Sequence, residues 1–198
     1  DCPEGATLVV GHNAKDKEEC AKMIHEGRWS EFIREVPIHK GDFVSIVPGT
    51  VHAIKAGVML LETQQNSDIT YRVYDYDRLS NGRKRELHVE KSIDVINAPA
   101  SPAQDSIHNF ANVRKNKPVL MEKSAYYKVW KLVVDDGPEL QLSREKDFDS
   151  SYLLASVVAG SGYINDTAIK KGDHFIVTNE CDSLSFSGDM EIILSAQI

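Results

Sequence analysis

Short runs of β-branched and alternating residues, each closed off by Gly, Pro, Asn or Asp, recur along the whole chain: ATLVVG, DFVSIVPG, GVMLLET, TYRVYDY, AYYKVWKLVVDD, SSYLLASVVAGSGY, DHFIVTN and DMEIILSAQI. Runs this short and this dense predict a mainly β protein, built as a sandwich or barrel. Two segments break the pattern. Over residues 16–36, Cys20, Met23 and Ile24, then Trp29, Phe32 and Ile33, follow at three- and four-residue spacing. Asp16 and Glu19 stand as a capping box and Gly27 interrupts the middle, so two short helices are expected. RELHVEKSIDVIN sets Leu87, Ile93 and Ile96 among charges and stops at Asn97 ahead of Pro99, which predicts another helix. The stretch APASPAQD, residues 98–105, then reads as a linker.

The two sides of that linker resemble each other. Ile38-His39-Lys40-Gly41-Asp42 aligns with Ile169-Lys170-Lys171-Gly172-Asp173 at an offset of 131, and the same offset brings Gly57 onto Gly188 and Met59 onto Met190 without a gap. One strand–turn–strand unit therefore occurs twice, and two like barrels are the simplest architecture. A chain of 198 residues is long enough to bury a core in each of two small domains.

Charge and cysteine content narrow the function classes. With 23 Lys+Arg against 30 Asp+Glu, the net charge of −7 argues against a nucleic-acid binder, which needs cations to neutralise phosphates. No apolar run reaches the ~18–20 residues of a membrane span, and DCPEG has neither the basic start nor the apolar stretch of a signal peptide. Cys2, Cys20 and Cys181 are odd in number and lack CxxC spacing, so a disulfide framework is not expected and a reducing cytoplasm is the default location. The opening residue is not Met and the chain runs straight into a strand, as expected of a fragment or a processed chain.

The motif with most chemical content is GDFVSIVPGTVH, residues 41–52. Pro48 sets a turn, Gly49 permits a left-handed conformation, and His52 is delivered at a strand start. The segment resembles the second motif of the cupin superfamily, G-x5-P-x-G-x2-H, whose His projects into a small barrel and binds a metal. Gly41, Gly49 and His52 are in register, while Pro48 falls one place late. In the later copy Ser183 takes the place of His52, so the second barrel is expected to be metal-free. His52 alone cannot hold a metal, since a catalytic zinc takes three protein ligands and no H-x-H pair exists in the chain. A lone His after a turn can equally be a hydrogen-bonded structural residue.

The residues that follow weigh on that choice. PGTVHAI and then ETQQNSDITYRVYDYDR closely resemble the class I mannose-6-phosphate isomerases in their short bacterial form, over roughly residues 1–98. The remainder is similar to the family's degenerate second cupin domain. The resemblance implies two cupin-type (jelly-roll) β-barrels with a small helical insert. Residues 1–98 would be the C-terminal part of the catalytic barrel, 99–116 a linker and 117–198 the second barrel. It implies zinc-dependent interconversion of mannose 6-phosphate and fructose 6-phosphate through an enediol. His52 matches the family's metal-binding His, Arg72 its catalytic Arg, and Glu62 the acid opening the ETQQNSD segment, read with Arg78 as substrate-binding. One zinc per chain is expected, with the remaining ligands upstream of Asp1. The partner is a small sugar phosphate, not nucleic acid or a membrane, in a monomer or homodimer. The alternative is a noncatalytic cupin that binds a sugar or sugar phosphate.

Local composition agrees with an anionic substrate, because Arg72, Arg78, Arg83, Lys84 and Arg85 cluster in an otherwise acidic chain and Arg offers forked donors to phosphate. Arg83, Lys84 and Arg85 read as a solvated loop, whereas Arg72 is expected inside a strand, buried and facing the same barrel mouth as His52. His12, His25, His39, His88, His108 and His174 have no partner at ligand spacing and take surface, packing or linker roles. Tyr126, Tyr127 and Trp130 are read as strand packing.

Overall fold

The computed structural model describes residues 1–67 and 69–198, and the chain divides into two compact units. Residues 1–60 and 66–109 form the first, residues 61–65 and 110–198 the second. The division after Asn109 falls inside the span read as a linker.

The first unit is built from short pieces. β1 (Thr7–His12) leads into α1 (Lys17–His25) and α2 (Trp29–Phe32), then β2 (Ile33–Pro37), β3 (Asp42–Val44) and β4 (His52–Ala53). A hairpin of β5 (Leu79–Ser80) and β6 (Arg83–Lys84), helix α3 (Val89–Val95) and β7 (Ile107–Asn109) follow. β1 is the centre of a three-stranded antiparallel sheet ordered β2-β1-β4, while β3 pairs separately with β7. The helical insert forms as its spacing predicts. Cys20, Met23 and Ile24 are buried on one face of α1, and Asp16 accepts the Glu19 N–H at 2.8 Å. The reciprocal bond is displaced by one residue, with Glu19 accepting from the Lys15 N–H rather than that of Asp16. The second helix ends earlier than its apolar spacing suggests, because Ile33 turns into β2 and pairs with His12. Two small apolar clusters result. One joins Cys20, Met23, Ile24 and Phe32 to Ile96 beyond α3; the other gathers Leu8, Val10 and Ile38.

The second unit contains β8 (Val119–Lys123), β9 (Tyr127–Val134), β10 (Leu140–Ser143), α4 (Arg144–Phe148), β11 (Leu153–Ile164), β12 (Thr167–Lys170), β13 (His174–Val177) and β14 (Ser183–Gln197). All seven strands join one antiparallel sheet. Along β14, Leu184, Phe186, Met190, Ile192, Leu194 and Ala196 are buried in the period-two alternation of a half-buried strand. With Trp130, Leu132, Val134, Phe148, Leu153 and Val157 they make one continuous core. Among the described residues, strand pairing closes neither unit into a barrel.

The repeated pentad adopts the same turn in both units. Asp42 N–H donates to His39 O at 3.1 Å and Asp173 N–H to Lys170 O at 3.0 Å. The Asp side chain accepts the same backbone N–H in each, from His39 at 2.6 Å and from Lys170 at 2.8 Å. Gly41 and Gly172 hold φ of 89° and 94°, a left-handed conformation that only Gly adopts without cost.

Candidate functional site

The Pro-Gly turn and the strand after it place His52. The turn closes with Thr50 N–H on Val47 O at 3.2 Å, and Gly11 N–H donates to Val51 O at 2.7 Å. β4 then pairs with β1, Val10 opposite His52. The imidazole is exposed rather than shielded inside a barrel, with Nδ1 2.9 Å from Thr50 O. A carbonyl can only accept, so Nδ1 carries a proton, and in the neutral ring Nε2 is the nitrogen with the lone pair. That is the tautomer in which a metal-binding His is held by its other nitrogen.

Arg72 departs from the expected placement. Neither GVMLLET nor TYRVYDY forms a strand, and no regular element occurs among the described residues of 60–78. The strand-to-strand route by which Arg72 was to reach the mouth near His52 is therefore absent. Aromatic and β-branched content expresses β preference only where a neighbouring strand satisfies the backbone, and among the described residues none pairs here. Met59, Leu60, Ile69 and Tyr71 are exposed in consequence. Arg72 is half-buried in the loop and anchored to the start of α3. Its N–H donates to His88 Nδ1 at 3.2 Å, His88 N–H donates back to Arg72 O at 2.7 Å, and Nη1 reaches Glu86 O at 3.3 Å. His88 thus ties the loop to α3, a role its isolated position in the sequence does not signal.

Glu62 is exposed and lies in the short segment that groups with the second unit. Arg78 is largely exposed and committed to Asp75, with Nη2 2.7 Å from Oδ1. Asp75 is the residue that sequence reasoning missed: only 5% exposed, it accepts from Arg78 and from both Nε and Nη2 of Arg85. Bonding from Arg85 first, then from Arg78, holds its carboxyl down at about 2, against the opposing effect of burial. Arg85 is accordingly no free loop cation. The i,i+3 spacing of Asp75 and Arg78 was the available signal. These groups, with Trp29, Tyr74 and Lys84, line a cavity of about 170 Å³ in which the Trp29 and Tyr74 rings stack at 4.4 Å.

The second unit has a wider cleft of about 600 Å³, lined by Ile164, Ile169, His174, Phe175, Val177 and Cys181 among others. His174 lies at the start of β13 and its Nδ1 meets Ser156 Oγ at 2.8 Å. Ser183, at the position equivalent to His52, opens β14 opposite Ser143. His52 lines neither cavity.

Comparison with known proteins bears on both units. Residues 119–197 match the family model described as "Mannose-6-phosphate isomerase, cupin domain", so the second unit contains a cupin domain in a mainly β chain. The relation extends beyond that unit. The chain is 42% identical to the mannose-6-phosphate isomerase of Streptococcus mutans and 39% identical to the mannose-6-phosphate isomerase ManA of Bacillus subtilis, over 97% and 98% of its own length. The crystal structure of mannose 6-phosphate isomerase from Bacillus subtilis superposes with a TM-score of 0.78 at 34% identity, covering 99% of this chain and 62% of that one. Along nearly its whole length the chain thus resembles the mannose-6-phosphate isomerases. It spans about 60% of the length of the curated relatives it matches.

Proposed function

We propose that the protein carrying this chain is an aldose–ketose isomerase that interconverts mannose 6-phosphate and fructose 6-phosphate through an enediol. The observation that carries this reading is identity of 37–42% to proteins named as such isomerases, across nearly all of the chain. His52 supports it from the geometry, since the Nδ1 bond to Thr50 O leaves Nε2 of this exposed ring as the donor atom for a metal.

The metal this reading implies is zinc, and the residues present fit part of its site. Among the described residues no group of three or more His, Cys, Asp or Glu converges to hold an ion. In this reading His52 is one ligand, and the others are assigned to the length of the relatives that this chain does not span. When bound, such an ion polarises a substrate oxygen as a Lewis acid. The chain's own residues supply the rest: Arg72 offers a guanidinium to the negative charge that develops as the proton moves between C1 and C2. Arg78 and Glu62 are assigned to substrate binding. In the same reading residues 1–98 and 117–198 each belong to a cupin-type barrel joined through 99–116, in a cytoplasmic monomer or homodimer.

Two variants of the full-length protein test this. His52→Ala should abolish zinc retention, measured as metal content after dialysis. Arg72→Lys keeps the charge but loses the fork, so it should fold, keep its metal and turn over about 10²–10³-fold more slowly. Sugar-phosphate binding by a wild-type protein with no isomerisation would favour the noncatalytic cupin instead.

A further inference from the structure

Asn97, which no site motif includes, grips the turn that delivers His52. It follows the end of α3, far along the chain from residues 48–52, yet it engages two consecutive carbonyls of that turn. Its side-chain Nδ2 donates to Pro48 O at 2.8 Å, and its backbone N–H donates to Gly49 O at 3.0 Å. Its own carbonyl accepts from His12 Nε2 at 2.9 Å, and the His12 ring is fixed in turn by the Ala14 N–H on Nδ1 and by stacking on Phe32. Asn97 is thus held from behind by a buried ring and holds the turn in front.

The fit leaves no slack. Gly49 sits at φ +84°, and a Cβ there would lie 2.6 Å from Asn97 Nδ2 and 2.6 Å from Val95 O. The clamped turn runs directly into Thr50, whose carbonyl accepts a hydrogen bond from His52 Nδ1–H. A displacement of residues 48–50 therefore moves the carbonyl that bonds the Nδ1 side of the imidazole.

We propose that Asn97 is a positioning residue for His52, acting through the Pro48–Thr50 turn to hold Nε2 in its metal-binding orientation. This rests on the reading of His52 as a ligand. Asn suits the task because its amide is short enough to donate to Pro48 O while its own N–H meets the next carbonyl. Asp has the same shape and would turn an acceptor toward Pro48 O instead. The side chain is exposed, so its loss should disturb the site more than the fold.

The test uses the full-length protein with Asn97→Asp, Asn97→Ala and His52→Ala. It has three readouts: Zn2+ affinity by chelator competition, the ¹⁵N spectrum of the metal-free His52 ring, and the thermal midpoint. Both Asn97 variants should weaken Zn2+ binding about 10–100-fold, the usual effect of removing a group that orients a ligand. They should also lose the single Nδ1–H tautomer of His52 and melt within a few degrees of wild type. Affinity within about twofold of wild type together with an unchanged His52 spectrum overturns the positioning role, even where His52→Ala has lost the metal. Metal retained by His52→Ala overturns the ligand reading instead, and the ring spectrum still decides the clamp. Collapse of the fold in both Asn97 variants also overturns the proposal, since a residue that only positions a turn does not carry the core.

Discussion

The second unit sets seven strands in one sheet over one continuous core, whereas the first divides its apolar residues between two small clusters around a three-stranded sheet. The contrast is sharpest in the longest elements. β11 and β14 run for 12 and 15 residues in the second unit, while β4, which carries His52, has two. The residues assigned to chemistry nevertheless lie mainly in the first unit. Its loops and turns are fixed by individual polar contacts, namely Asn97 on the Pro-Gly turn, His88 on Arg72 and Asp75 between two arginines. Regular sheet supplies stability at low cost in special residues; a site needs side chains aimed individually, and short elements joined by hydrogen bonds allow that.

Each unit contains one tryptophan, Trp29 in the first and Trp130 in the second, so the contrast can be measured. The largest effect is expected in the sheet core. Phe186→Ala removes a fully buried ring and should destabilise the second unit by about 3–5 kcal/mol, read from denaturant unfolding of a variant that keeps only Trp130. An equal shift in the companion variant that keeps only Trp29 would break the comparison and make the units one cooperative body.

Acid should act on the first unit next. Burial is the main cause lowering the His12 pKa, opposed by its bond to Asn97 O and aided by Arg34 and Lys17. A His with a depressed folded pKa contributes stability that is complete above its unfolded value of about 6.5 and declines as pH falls below it. Asp75, near 2 in the fold against 3.8 free, adds a loss between those two values. Fluorescence of Trp29 should therefore change at a higher pH than that of Trp130 during acid titration; coincident transitions would remove the distinction. The smallest effect is Asp16→Ala, which deletes the α1 cap and should cost about 1 kcal/mol at Trp29. An equal response at Trp130 would again argue for a single body.

The same comparison explains how much could be read in the sequence. The strands of the second unit, the cap and apolar face of α1, the helix near residue 90 and the paired Gly-Asp turns were legible because each depends on neighbours within a few positions. The placement of Arg72 was not, because TYRVYDY has β-forming residues but no strand alongside. The Asp75–Arg85 pairing and the Asn97 clamp were hidden for a related reason. Their partners lie at separations with no periodicity, Asn97 meeting Pro48 across 49 residues. The Pro-Gly turn ahead of His52 was legible from its chemistry, but the exposure of the imidazole was not, since the barrel wall expected around it is not closed by the described strands.

The matched turns at 38–42 and 169–173 have a further consequence. They agree in backbone angle and in the Asp that staples them, while the chemistry delivered downstream has diverged to His52 in one unit and Ser183 in the other. Bend and cargo are thus separable properties of this chain. In engineering terms the pentad is a reusable bend, and the two units differ in what is bolted on after it.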